Sequence, residues 1–296
     1  MKVVSYNLRK HRAMNELAAL DERYSPDLLC LQECDTTDLP HRVGRLELAT
    51  STSGNRLGLA VYYRPDLYEF RIVRAFALKK SLHDHVLRPA HERLLGVLLR
   101  DLAAQREFVV ASFHAAPLTA LNSLRRHQIK SALAELQLLG PGLPTLMVGD
   151  YNYPLFKENL AEKVREHGYE LTLSDSRTYT RYKFFRGHFD LATSVGFDIQ
   201  RVETLPRGSS DHLPILVDAR YAGIIEQGSH EGYDWIYVLS GRVRLALGDD
   251  EIVLEPGEAA EFDTRMPHGH ASASEEPAEI LNLLSTQGER VHVRSP

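Results

Sequence analysis

The stretch DHLPILVDARYAGIIEQGSHEGYDW (residues 211–235) decides how the chain divides. Its first part, Asp211-His212 followed by Leu-Pro-Ile, reads as polar residues opening the last strand of a catalytic domain. Its last part, His230-Glu231-Gly232 followed by Tyr-Asp-Trp, reads as the first ligand-bearing strand of a small β-barrel. The two histidines are thus expected to serve different units, residues 1–221 and 222–296. No Pro/Ser-rich linker separates them.

Upstream of this stretch, short β-rich runs alternate with helical patterns, which defines an α/β class. KVVSY, LLCLQE, GLAVYYR, RLLGVLLRDL, FVVASFHA, TLMVGDYN, HFDLATS and HLPILVDA read as strands. MNELAALDERY and LNSLRRHQIKSALAELQLL have helical spacing, and the second stops at Gly140-Pro141-Gly142. The neighbouring GLAVYYR and RLLGVLLR runs predict antiparallel pairs, so the sheet is expected to be mixed. From Tyr237 the helical period disappears. YVLSGRVRLAL, DDEIVLEPGE, AAEFD and AEILNLLS, parted by SG, GDD, EPG and MPHG, read as an all-β meander of roll or barrel type.

Charge divides at the same place. Residues 1–221 hold 30 Lys+Arg against 26 Asp+Glu, whereas residues 222–296 hold 5 against 14. The front suits a polyanionic partner and the tail does not. Cys30 and Cys34 form a lone CxxxC, poor material for zinc or a disulfide framework, and point to a reduced, cytoplasmic chain. MKVVSYNL enters a strand at once, without the pattern of a signal peptide. No window holds the roughly 18 apolar residues of a membrane helix.

Reactive side chains gather at the ends of the predicted strands. Asn7 ends VVSYN, Glu33 ends LLCLQE, His114 ends VVASFH, Asp150 and Asn152 end LMVGDYN, Asp190 lies in HFDLA, and Asp211-His212 precede LPILV. Any one of them is ordinary turn chemistry. Six strand ends that carry only carboxylate, amide or imidazole groups are not. Oxygen ligands without cysteine suit Mg²⁺ or Mn²⁺. Such an ion beside His-Asp pairs is what phosphodiester hydrolysis requires: charge offset on phosphate oxygens, a base for water and an acid for the leaving oxygen.

In order, YN, LQE, SFH, GDYN, FD and SDHLP resemble the endonuclease/exonuclease/phosphatase superfamily, over essentially residues 1–221. The resemblance implies a four-layer α/β sandwich of two mixed β-sheets with the site at one edge. It implies Glu33 as the principal metal ligand, with Asn7 and Asp211 near the ion or its waters. Asp150 would orient or deprotonate the attacking water, and Asn152 would hold a phosphate oxygen. His212, held by Asp190, would contact the phosphate and move a proton. His114 matches the second histidine of the pancreatic deoxyribonuclease-like branch, with Glu92 as its implied partner. Arg9, two residues after Asn7, also matches that branch, where abasic-site endonucleases carry an acidic or amide group.

The stretch SRTYTRYKFFRGHFD interleaves Arg177 and Arg181 with Tyr179 and further aromatics, which suits a loop facing nucleic acid. The same pattern fits a twisted strand with a basic outer face. The cluster His83, His85 and His91 lacks a fourth ligand and reads as a polar loop.

The tail is similar to the cupins, through YVLSGRV, LEPGE and PH in order, and resembles those found behind helix-turn-helix domains in bacterial regulators. The family's HxH-acid-His metal pattern leaves His230, Asp234 and His268 here, because Gly228 stands at the first histidine position. That loss favours an empty or small-molecule-binding barrel over a metal site. The sequence before His230 is short for a cupin. This predicts an incomplete barrel, one completed by self-association with a partner chain, or an unusual fusion.

The leading expectation is a Mg²⁺-dependent endonuclease acting on DNA, with an appended cupin of sensory or structural role. The enzyme alternative is a phosphatase or phosphodiesterase of inositol phosphates or sphingomyelin-type lipids, since the same scaffold serves both. A ligand sensor with an idle hydrolase half is a third reading. It predicts loss of Glu33, Asp150 or His212, and all three are present.

Overall fold

The computed structural model describes residues 1–53, 57–80, 92–153, 157–179, 187–223, 225, 227–273 and 277–285. It divides into two units, Met1–Ala222 and Gly223–Pro296. The first begins with β1 (Lys2–Asn7), a 3-10 turn at Met14–Glu16, α1 (Leu17–Tyr24), β2 (Leu28–Cys34), β3 (Arg42–Val43), β4 (Leu46–Ser51) and β5 (Gly58–Tyr63). It continues with β6 (Tyr68–Ala77), β7 (Glu92–Asp101), β8 (Arg106–His114), α2 (Asn122–Leu139), β9 (Thr145–Asp150) and α3 (Lys157–Arg165). β10 (Glu170–Leu173), β11 (Asp190–Val195), β12 (Phe197–Thr204) and β13 (Ile215–Tyr221) complete it.

These strands form a seven-stranded sheet, β12-β13-β1-β2-β5-β4-β3, and a six-stranded sheet, β10-β11-β9-β8-β7-β6. Both are mixed: β1–β2 and β8–β9 run parallel and their other neighbours antiparallel. Period-two alternation sends side chains to two cores. Val3, Leu28, Cys30, Val61, Val97, Val110, Val148 and Val217 fill the layer between the sheets. Val4, Tyr6, Leu29, Leu31 and Tyr62 point outward onto Leu17 of α1, while Val109, Ala111 and Met147 meet Ile129, Leu133 and Leu136 of α2 and Leu160 and Val164 of α3. Helices outside two facing sheets make the four-layer α/β sandwich.

One expectation needs correction. GLAVYYR (β5) and RLLGVLLR (β7) are not paired with each other. They belong to different sheets, and β7 pairs with β6 and β8. The intervening β6 escapes the sequence pattern because it is an edge strand, with Phe70, Ile72 and Val73 exposed and no inside/outside alternation. α3, β4, β10 and β12 are likewise unforeseen, for their burial alternates poorly.

The second unit contains β14 (Tyr233–Ser240), β15 (Val243–Leu247), β16 (Asp250–Leu254), β17 (Ala259–Asp263), β18 (His268–Ser272) and β19 (Glu279–Ser285). They form two three-stranded antiparallel sheets, β17-β14-β19 and β16-β15-β18. Ile236, Val238, Val243, Leu245, Leu254 and Phe262 make its core. β18 begins inside the MPHG segment that reads as a turn in sequence. In front of β14, Gly228 forms a β-bridge with His268. Among the described residues, no helix is long and apolar enough to cross a membrane.

Gly149 precedes Asp150 in β9 with φ +148°, and a Cβ there would lie 1.9 Å from the Phe113 carbonyl oxygen of β8. Only glycine lets the two parallel strands approach this closely. Gly149→Ala is expected to destabilise the first unit by about 3 kcal/mol or more, read from its urea denaturation midpoint.

Candidate active site

Strand direction explains why distant residues meet. β1, β2, β8 and β9 end at one edge of the sandwich, and their antiparallel neighbours β13, β7 and β11 begin there. Asn7, Glu33, His114 and Asp150 come from the first group. Glu92, Asp190 and the Asp211-His212 pair before β13 come from the second. Asp150 is the hub, paired in register with His114 on β8 and with Asp190 on β11.

Asp150 is almost fully buried. Its Oδ2 accepts from Asn7 Nδ2 and Asn152 Nδ2, both at 3.0 Å, and its Oδ1 accepts the Asn152 backbone N–H at 2.9 Å. His114 Nε2 lies 3.6 Å and His212 Nε2 3.7 Å from Asp150 Oδ2. On its other side, His212 Nδ1 bonds Asp190 Oδ2 at 2.8 Å, with both side chains buried. His114 Nε2 also faces Glu33 Oε1 at 3.9 Å. Arg9 Nε stands 3.6 Å from Asp211 Oδ1.

Burial pushes the Asp150 carboxyl up, His212 pulls it down, and Asp190 and Glu33 push it up again. The balance leaves it well above the ordinary carboxylate range. Burial alone would lower the His212 imidazole, but the Asp190 and Asp150 carboxylates and the Asp190 hydrogen bond outweigh it and hold it up at about 10. The edge is therefore a buried cation among crowded carboxylates.

Backbone strain gathers at this edge. Five of the seven non-glycine residues with positive φ among the described residues are Arg9, Lys10, His11, Glu33 and Asn152. Such conformations cost roughly 1–2 kcal/mol each and cluster at functional sites. Glu33 is the extra residue of a β-bulge in β2, where pairing with β5 slips between Gln32 and Cys34. The left-handed turn at Arg9–His11 closes over it: the Lys10 N–H bonds Glu33 Oε2 and the His11 N–H bonds the Glu33 carbonyl. The bulge also reverses the side-chain alternation, so Cys30 faces the inter-sheet core and Cys34 the outer one. Both are free buried thiols.

Several supports are not foreseen in the sequence. Ser210 Oγ donates to the Asn7 carbonyl and accepts the His212 N–H, a turn for which Ser two residues before His is a usable signal. Thr178 Oγ1 accepts the N–H groups of Phe189 and Asp190. Gln32 Nε2 on β2 reaches Ser112 Oγ on β8, tying the two sheets beneath the site. Arg93 donates to the carbonyls of His114 and Ala115, and Gln128 of α2 accepts the Ala116 N–H.

Other candidates lie elsewhere. Glu92 Oε2 accepts the Ser53 N–H. Tyr179 is buried, its ring 5.0 Å edge-on to His212, and a β-bridge joins the two residues. Arg177 is exposed on the segment leading to Tyr179. Arg181, the aromatics after it, and the His83, His85 and His91 cluster lie outside the described residues.

Two side-chain groups offer donors for a cation: Asp150 with Asp190 and His212, and, in the second unit, His230 with Asp234 and His268. At the first edge, the Glu33 carboxylate crowding Asp150 and the buried Asp190 Oδ1, without a hydrogen-bond partner among the described residues, are what a hard divalent cation would relieve. In the second unit, His230 Nε2 and His268 Nε2 lie 3.9 and 3.6 Å from Asp234 Oδ2. Asp234 Oδ1 is buried without a hydrogen-bond partner among the described residues, and nothing lies within 4 Å of the place a Gly228 side chain would take.

Comparison with known proteins follows the same division. The Endonuclease/Exonuclease/phosphatase family model matches residues 4–212, and the Cupin domain model matches residues 221–284. Protein angel of Drosophila melanogaster is 30% identical over 165 residues, covering 50% of this chain and 44% of its own length. The chain thus spans under half of that relative. Among solved structures, the mannosyl-6-phosphatase Bt3783 of Bacteroides thetaiotaomicron shares 16% identity with a TM-score of 0.60, covering 75% of this chain and 100% of that one. D. rerio TDP2 complexed with single-strand DNA product shares 13% identity with a TM-score of 0.58, covering 74% and 98%.

An imidazole raised from 6.5 to about 10 keeps both protons throughout the neutral range. In metal-free protein, NMR titration is expected to show His212 doubly protonated at pH 8. Asp190→Asn should move its titration downward, because the carboxylate that raises it most is gone.

Proposed function

The chain belongs to the endonuclease/exonuclease/phosphatase family and is a metal-dependent phosphoric ester hydrolase; from that premise we propose that it cleaves phosphodiesters of nucleic acid. The observation that carries the reading is the buried Asp190–His212–Asp150 chain, with Glu33 and His114 beside it. An imidazolium locked by Asp190 presents fixed positive charge to a phosphate oxygen and a proton to the leaving oxygen. Asp150, with a carboxyl raised towards neutrality, suits the orientation and deprotonation of the attacking water. Asn7 and Asn152 hold its oxygens in place, and Asn152 also suits a phosphate contact. His114, with Glu92 on the neighbouring strand start, suits a second phosphate contact.

Glu33, Asn7 and Asp211 supply oxygen donors for Mg²⁺ or Mn²⁺. When bound, such an ion offsets negative charge on the non-bridging phosphate oxygens. Arg9, Arg177 and Arg181 suit phosphates flanking the reacting one, and Tyr179 serves the substrate through the ring of His212 that it packs against. The excess of Lys and Arg in the first unit supports a polyanionic substrate, and the likeness to a structure with single-strand DNA product supports DNA. Two free thiols buried on opposite faces of β2 support a reducing, cytoplasmic setting.

A second reading, phosphate-ester substrates built on inositol, a lipid or another small alcohol, is favoured by the likeness to a mannosyl-6-phosphatase. A panel of plasmid DNA, single-stranded DNA, RNA, inositol phosphates and sphingomyelin with Mg²⁺ or Mn²⁺ separates the two. Cleavage of nucleic acid is expected, abolished by EDTA and lowered by about 10²–10⁴ in kcat by His212→Ala. Turnover confined to inositol phosphate or sphingomyelin would establish the second reading.

In the second unit, His230, Asp234 and His268 suit a divalent cation with one open position beside Gly228. Otherwise the barrel serves as an empty or small-molecule-binding module, alone or self-associated. Metal analysis of the full chain loaded with Mn²⁺ or Zn²⁺ is expected to give one ion fewer per chain in His268→Ala. Equal content in both proteins would assign the barrel no metal.

A further inference from the structure

The first unit carries a second cavity, on its helical face. It lies between α2 and α3 and encloses about 340 Å³, at the small end of ligand-sized cavities. Ile129 and Leu133 of α2 and Leu160 and Val164 of α3 form its floor. Arg126 and Lys130 rim one side and Lys163 the other, with Glu166 as the acidic member. Glu166 is already engaged by Lys163. Among the described residues, neither Arg126 nor Lys130 has a carboxylate at ion-pair distance. Spaced four apart on α2, they present their charges on one helical face.

The groove is tied to the catalytic edge. Arg126 Nη1 bonds Tyr153 Oη at 3.4 Å, and Tyr153 directly follows Asn152, which holds Asp150. On the same helix, Arg125 and Gln128, which flank Arg126, clamp the segment after His114 through Pro117 and Ala116. The helix that carries the groove's cations therefore also holds the segment leaving the active site.

We infer that this groove is a binding subsite for single-stranded nucleic acid, holding one nucleotide away from the scissile phosphate. The base lies over the aliphatic stems of Arg126, Lys130 and Lys163, and their charged ends take the flanking phosphates. A slot rimmed by three cations, of which only Lys163 has a carboxylate partner among the described residues, matches a ring that carries negative charge. This assignment rests on the nucleic-acid reading above. It adds that affinity for a long strand is set partly outside the catalytic edge.

The test uses the full chain with a fluorescent single-stranded oligonucleotide. Anisotropy in EDTA measures binding, and Mg²⁺-dependent hydrolysis of bis(p-nitrophenyl) phosphate reports the catalytic edge alone. For the exposed Lys130→Glu, binding is expected to weaken by about threefold or more. The slope of log K against log salt should flatten by about 0.7, the value for one lost single-strand phosphate contact. Small-diester hydrolysis should stay at the wild-type level. An abasic oligonucleotide should bind the wild type more weakly than the normal one and bind the variant no differently.

Lys163→Glu, on the opposite wall, is the second variant and should show the same split between long and small substrates. Oligonucleotide binding and cleavage unchanged in both variants would overturn the subsite while leaving the nuclease reading intact. Hydrolysis of the small diester with neither binding nor cleavage of oligonucleotide would overturn the nucleic-acid reading itself, and the subsite with it.

Discussion

The hydrogen bond from Asn7 to Asp150 crosses from one sheet to the other, and the catalytic edge is built around it. A carboxyl this deeply buried costs several kcal/mol unless its oxygens are satisfied. Asp150 meets that demand with one amide from the end of β1 and two groups of Asn152 from its own loop. β1 and β9 must then end at the same level, which fixes the stagger of the sheets. The Gln32–Ser112 bond one layer below imposes the same alignment from inside. With the stagger set, register alone brings His114 and Asp190 to either side of Asp150.

Much of this edge was legible because an apolar strand that ends on a carboxylate, amide or imidazole is visible in a single sequence. Asn7, His114, Asp150, Asp190 and His212 all announce themselves in that way. Glu33 also did, but the bulge that re-aims it did not. The extra residue is defined by pairing with β5, and LLCLQEC carries no mark of it. The strained turn at Arg9–His11 was invisible for a related reason, since no glycine flags its positive φ values. Tyr179 reads as a surface aromatic in a basic stretch, yet its backbone bridge to His212 draws it inward. The edge strand β6 was missed because exposure along most of its length removes the alternation that reveals a strand, and β12 because a bulge between Ile199 and Arg201 breaks it.

The second unit shows a different balance. Its strands alternate clearly and its core is small, so pattern reading finds five of the six described strands. What the pattern does not reveal is how Gly228, the departure from the family's ligand set, sits in space. It pairs with His268 through the backbone and leaves its side-chain position open.

The pairing of β1 with β13 carries a consequence for the order of assembly. Lys2 lies opposite Asp218, and the terminal amine bonds the Ala219 carbonyl, so the first strand waits for the thirteenth. Contacts so distant in sequence are slow to form because a long loop must close before they contribute. On a ribosome, β1 has its parallel partner β2 early but keeps an open edge until β13 has been made. The same event that seals this edge delivers Asp211 and His212 to Asp150. The cluster around Asp150 is therefore complete only with closure of the sheet, and a nascent chain carries its carboxylates long before they meet.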